Sequence, residues 1–254
     1  MKKYIKKISS IILSSICILS AALSFANEVT YPIEKAPKKI NDVVALQHGA
    51  KLFVNYCLNC HSASSMRYNR LKDIGISDEQ IKNNLLFSAE KIGETMQVAM
   101  NYKDAKQWFG ATPPDLSVIS RSRGTDWLYT YMRSFYLDSS RATGWNNALF
   151  HNVGMPHALW ELQGTRNAKE VEEVDPHNHE NKVKTIVGFE QVTPGLLKPQ
   201  EYDEAVADLV AFLDWMGEPA QNQRKKMGLW ILLYLGIFTI LAYLLNANYW
   251  KDIK

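Results

Sequence analysis

The sequence predicts a mainly α-helical domain carried on one C-terminal transmembrane helix, and three observations predict it. Val43, Leu46, Ala50, Phe53 and Cys57 recur at helical spacing behind Asp42, a residue suited to an N-cap. A second apolar face, Tyr202, Ala205, Val206, Leu209, Phe212 and Leu213, runs from about Glu201 to Met216 and stops at Gly217 and Pro219. A third run, Met227 to Leu245, holds no charge and is close to the ~20 residues a helix needs to cross a bilayer core.

In chain order, Lys2, Lys3, Lys6 and Lys7 precede an apolar stretch from Ile11 to Phe25 and a small-x-small site, Ser24-Phe25-Ala26. That pattern is a secretory signal peptide, residues 1–26, which takes Cys17 with it and is excluded from the fold. Ile16 before Cys17 is too bulky for a lipoprotein cleavage site, so no lipid anchor is expected. The exported domain then covers residues 27–223, a length that suits one core. Asn27 to Asn41 reads as extended. Short helical segments are expected at about Ser77 to Tyr102 and Asp126 to Phe135, and a short hairpin near Val183 to Phe189. The span itself is placed at residues 227–247, with Trp230, Tyr234, Tyr243, Tyr249 and Trp250 as interfacial aromatics. Flanking charge alone favours the opposite orientation, with Arg224, Lys225 and Lys226 before the span and Lys251 and Lys254 after it. The leader overrides that count, because it commits the whole preceding domain to export. Residues 248–254 become a short cytoplasmic tail, and a bacterial inner membrane with a periplasmic domain is expected.

Removing the leader changes the charge. It takes four of the 29 basic residues and no acid, leaving 25 basic against 26 acidic side chains. Nothing in that balance suits nucleic acid.

The chemistry rests on Cys57-Leu-Asn-Cys60-His61, the c-type haem attachment signature. Both thiols add to the vinyl groups of one haem edge, and the next imidazole lies under the ring as an axial ligand of the iron. A redox dithiol would follow a βαβ pattern, which is missing before Cys57. A zinc site would need further nearby Cys or His ligands, and the mature chain has no other cysteine. One covalently attached haem c is therefore expected.

Two resemblances follow. Gly49 and Phe53 before the motif, with Asp208-Leu-Val-Ala-Phe-Leu213 near the domain's end, resemble the crossing helices of class I cytochromes c. More specifically, the chain resembles the cytochrome c1 family, the haem subunits of ubiquinol–cytochrome c reductase (bc1) complexes. The residues that carry this are Cys57 to Tyr68, Pro113-Pro-Asp-Leu-Ser117, Gly154-Met155-Pro156, Asp208 to Trp215, and Glu218-Pro219 with Arg224-Lys-Lys-Met-Gly228. The implied fold is a class I cytochrome c-like haem domain with a long insertion, plus the C-terminal anchor. His61 and Met155 stand 94 positions apart, a spacing small class I cytochromes lack.

For the sixth ligand, Met66 is too near His61, and Met216 and Met227 belong to the last helix and the membrane boundary. Met96, Met100 and Met132 read as core filler. Met155, in a loop and at the family position, is the expected ligand. His151 and His157 are its rivals and read as solvated loop residues. Pro113-Pro114-Asp115-Leu116 is expected to fix a rigid loop at the haem edge, which makes Pro114 a cofactor contact. The resemblance implies that Arg121 meets a haem propionate; a surface ion pair is the other reading for Arg121 or Arg123. Glu161 to Glu180 reads as a solvated acidic loop that could steer a basic acceptor, with His177 and His179 not expected to bind metal.

The resemblance implies a relay of single electrons from the Rieske iron–sulfur protein to a soluble or tethered cytochrome c, beside cytochrome b. The chain would be an electron-transfer subunit and no enzyme on its own. A tethered cytochrome feeding a terminal oxidase is one alternative. A haem enzyme or gas sensor with an open iron is another.

Overall fold

Asp42 begins the first helix as its side chain predicts, accepting from the Val44 and Ala45 N–H groups at 3.0 and 3.2 Å. The computed structural model describes residues 31–98, 100–174 and 182–251. The leader, residues 252–254 of the tail, His177 and His179 lie outside the described residues.

Helix α1 (Val43–Leu52) continues without a break into a π-helical turn, Phe53–Cys57. Strand β1 (Ala63–Arg67), a 3₁₀ segment (Tyr68–Ile74) and α2 (Asp78–Asn84) follow. Strand β2 (Thr95–Met96) pairs antiparallel with β1. Then come α3 (Tyr102–Phe109), α4 (Ile119–Arg123) and α5 (Thr125–Arg133). The helix expected over Ser77 to Tyr102 is therefore confined to α2. A Ser77–Gln80 capping box starts it, and the backbone leaves the helical conformation at Leu85, whose side chain is buried.

Strands β3 (Phe135–Leu137) and β4 (Trp145–Asn147) form a second antiparallel pair. After the short α6 (Trp160–Gln163), β5 (Gly164–Val174) and β6 (Lys182–Pro194) form the third. The expected short hairpin is thus far longer, and the acidic stretch read as a solvated loop is largely strand. Its period is hard to see because β5 mixes Arg, Asn, Lys and Glu on both faces and its register shifts twice. The hairpin's base is closed by close backbone approach. A Cβ on Gly164, which has φ +82°, would stand 2.2 Å from the Thr193 carbonyl oxygen.

Helix α7 (Pro199–Gly217) opens with proline in its first turn, and the Glu201 carboxylate accepts from the Lys198 N–H at 2.8 Å. α7 crosses α1 at Gly49. A Cβ there would lie 2.1 Å from the Asp208 carbonyl oxygen and 2.7 Å from the Phe212 Cβ. The missing side chain lets the axes approach, and Phe53 and Phe212 pack beside the crossing with ring centroids 5.6 Å apart. Gly49→Val should therefore lower stability by about 3 kcal/mol, the upper end of ordinary overpacking. A urea midpoint shift in the holoprotein checks it, and no shift would mean the crossing yields easily.

Helix α8 (Gln221–Tyr249) buries none of its side chains, and among the described residues it alone is long and apolar enough to cross a membrane. The expected span lies inside it.

Candidate functional site

Helix α1 delivers the haem motif. The π-turn bond from Leu58 N–H to the Phe53 carbonyl, 3.0 Å, widens the helix where Cys57 enters the core. The Cys57 carbonyl then accepts from the N–H groups of Cys60 and His61 at 3.1 and 2.9 Å, so the three motif residues are folded around one backbone oxygen. Cys57 is buried, Cys60 is half-buried, and the two are not joined to each other. Burial, with a smaller contribution from Cys60, pushes the Cys57 thiol up to about 12.

The His61 ring is held from one side. Its Nδ1 lies 2.7 Å from the Pro114 carbonyl oxygen. A carbonyl can only accept, so Nδ1 carries the proton and Nε2 keeps its lone pair. Burial lowers the imidazole pKa, opposed by Pro114 and Asp115, and keeps the ring neutral. That is the form that ligates a metal.

Pro114 is held in turn. The Asp115 carboxylate accepts from Ser64 N–H at 2.8 Å, Ser64 Oγ at 2.7 Å and Ser117 N–H at 2.8 Å. Burial pushes its pKa up, yet the hydrogen bonds from Ser117 and Ser64 outweigh that and hold it below the usual range. Leu116 N–H donates to the Ser62 carbonyl at 2.8 Å. The loop is thus fastened to β1 directly after His61. Pro114 acts on the imidazole through its carbonyl, a part that side-chain reasoning could not assign.

Met155 lies in a second fastened loop. Its side chain packs against the cluster that contains Cys57 and Leu58, and its Sδ accepts from Tyr131 Oη at 3.4 Å. Burial pushes the Tyr131 phenol above its ordinary value, so it stays a donor. Trp127 stacks on Tyr131 at 4.8 Å, and the Arg123 guanidinium sits over Trp127 at 5.0 Å. A Cβ on Gly154 would stand 2.6 Å from the Phe109 carbonyl oxygen, so glycine lets the loop close onto α3.

Two asparagines shape this loop. Asn147 Oδ1 accepts from Ser134 Oγ and from the N–H groups of Leu149 and Phe150, each at 3.0 Å, while its Nδ2 donates to the Tyr131 carbonyl at 2.8 Å. Asn146 Oδ1 accepts from the Asn147 and Asn152 N–H groups at 2.9 Å. Sequence reasoning missed Tyr131, Asn146 and Asn147. The adjacent Asn-Asn pair was the available signal, since such side chains bond nearby backbone.

Two expectations need correction or restatement. His157 is not a solvated loop residue. It is 1% exposed, stacks on Phe135 at 4.8 Å and bonds Gln163 Oε1 through Nε2 at 2.7 Å. Aromatic neighbours far away in sequence enclose it, which local pattern cannot reveal. Arg121 is mostly exposed and donates to Glu218 Oε2 at 2.9 Å, the surface pairing given as its other reading. Tyr131→Phe removes the only donor to Met155 Sδ among the described contacts and should lower the haem potential by less than loss of the sulfur itself. Potentiometric titration of the variant beside Met155→Leu checks that order.

A family model described as the Cytochrome C1 family matches residues 34–253. Cytochrome c1 of Allochromatium vinosum is 45% identical over 244 residues, covering 96% of this chain and 98% of its own. A Nitrosomonas europaea protein named ammonia monooxygenase gamma subunit is 46% identical over 221 residues, 87% of this chain and 88% of its own. Cytochrome c1 of Rhodospirillum rubrum is 26% identical, covering 84% and 83%. A chain of a hyperthermophilic respiratory complex III superposes with a TM-score of 0.41 at 14% identity over 98% and 99% of the chains, too loosely to carry an argument. With the haem motif folded around one oxygen and a family match along nearly the whole domain and anchor, the chain belongs to the cytochrome c1 family of c-type haem proteins.

Proposed function

We propose that this chain is the haem subunit of a ubiquinol–cytochrome c reductase, relaying single electrons from a Rieske iron–sulfur protein to a soluble or tethered cytochrome c. Cys57 and Cys60 would hold the haem by thioether bonds, and His61 Nε2 and Met155 Sδ would ligate its iron. The observation that carries the reading is the His61 ring, locked by the Pro114 carbonyl with Nε2 left as the donor. The donor set fits the group: two unpaired thiols, a neutral imidazole and a thioether. When bound, the haem supplies a one-electron ferric/ferrous couple.

The residues then have separate tasks. Pro114 keeps the imidazole in one tautomer and one orientation, so little rearrangement accompanies a change of charge. The Tyr131 hydroxyl draws density from the thioether. With His61 and Met155 both ligating, the iron would keep no open position for a substrate. For the same reason, the oxygenase-subunit name borne by the Nitrosomonas europaea relative is not carried over. In the hairpin register Glu170 stands opposite Ile186 and Glu172 opposite Lys184, so the acidic residues of this stretch lie along a strand. The leader expected at residues 1–26 supports a periplasmic haem domain, with cytochrome b as the membrane neighbour.

The test uses membranes containing the holoprotein. A quinol should reduce this haem, and an inhibitor of quinol oxidation should abolish that reduction. Reduction at full rate with the quinol site blocked would favour the oxidase-feeding alternative. Transfer onward to a basic cytochrome c should slow as salt rises, because exposed charge pairs are screened over ~10 Å at 0.1 M.

A further inference from the structure

The junction between haem domain and anchor carries more than a covalent link. Three residues separate α7 from α8, and the corner is braced. Glu218 accepts from Arg224 at 2.5 and 3.0 Å and from Arg121 at 2.9 Å. On the other side, Asn222 Nδ2 in the first turn of α8 donates to Asn41 Oδ1 at 2.6 Å. That bond holds the segment before α1 at the level where the anchor begins. Directly after it stand two aliphatic side chains in the open, Val43 at 49% and Val44 at 74% exposure.

Single exposed valines are ordinary. Their height is what matters. Asn222 precedes Met227, the first residue of the apolar run, by five positions, or about 7 Å of helix at ~1.5 Å per residue. The polar layer on each side of a bilayer core is of similar depth, roughly 5–8 Å. Asn41 is thus held near the outer boundary of that layer, and the two valines follow within two and three residues.

We propose that this end of α1 rests on the lipid surface, with Val43 and Val44 in the headgroup layer and Lys38, Lys225 and Lys226 against anionic headgroups. The proposal rests on the reading that α8 crosses the membrane. Charge favours lipid: the three lysines are exposed, while of the nearby acids Asp42 serves as an N-cap, Glu218 is held by two arginines, and the half-buried Asp214 faces Lys225. Basic side chains beside small apolar ones are a lipid-facing composition. A protein partner's patch would be expected to show aromatic anchors and few lysines.

The test is made on the full holoprotein in vesicles, spin-labelled at Val44→Cys or Ile240→Cys. Collision with oxygen and with a water-soluble nickel chelate reads depth. In vesicles with about one-third phosphatidylglycerol, the Val44 label should be shielded from the chelate. Shielding should weaken in pure phosphatidylcholine and in the Lys38→Gln, Lys226→Gln background. An Ile240 label deep in the bilayer beside a Val44 label fully open to the chelate would overturn the proposal alone. An Ile240 label open to the chelate would overturn the anchor reading with it. Shielding of Val44 in native membranes only, and never in vesicles, would assign the face to a protein neighbour and overturn the lipid.

Discussion

Denatured in detergent and run on a gel, a Cys57→Ser, Cys60→Ser variant will show no haem, while the unaltered chain keeps it. The two thioether bonds are the only covalent hold proposed, and denaturant removes every other contact. Either single variant should keep at most one link. His61→Ala should yield no stable holoprotein, because no other imidazole is described with the Pro114 carbonyl behind it. Haem staining of equal protein loads measures all three, and full retention in the double variant would sink covalent attachment at this motif.

Met155→Leu should drop the haem potential by on the order of 100 mV or more, within the ~0.8 V that axial ligation spans. A thioether ligand raises the potential, and leucine matches methionine's volume without offering a donor. The fold should therefore survive, with a stability change under about 1.5 kcal/mol. The iron should gain an open position, turn high-spin in part and bind carbon monoxide. A low-spin spectrum with an unchanged potential would show that another residue ligates. His157 would then come before Met132 as a candidate. It sits two residues away with a buried Nδ1 that has no hydrogen-bond partner, whereas Met132 is a core residue.

What could be read from the chain follows from how local the causes are. α1, α7 and α8 have apolar periods set by their own residues, and the motif Cys57 to His61 carries its chemistry within five positions. Gly49 was legible because close helix approach requires a missing Cβ. The hairpin Gly164–Pro194 was mostly missed, since its strands alternate poorly and are made by pairing across a distance. His157 was misplaced for the same reason, its enclosure coming from Phe135, Trp145 and Tyr202. The hold of Pro114 on His61 is a main-chain effect, and main-chain oxygens leave no mark in composition.

The closed base of that hairpin has a consequence for how this lineage can change. The chain leaves at Gly164 and returns opposite it at Pro194, and the crosslinks on either side, Leu196 N–H to the Glu161 carbonyl at 2.9 Å and Leu197 N–H to the Leu162 carbonyl at 3.1 Å, are complete without the outer strands. Arg166, Ile186 and Phe189 tie the inner portion to the body, the first by donating to the Arg133 and Phe135 carbonyls at 2.5 and 3.1 Å, the others by packing with Tyr136. Outward of the Glu170–Ile186 pair, length is cheap, because doubling a loop costs only about 0.6 kcal/mol in closure entropy. That arm is a port where residues can be gained or lost while the loops that carry Pro114 and Met155 keep their geometry.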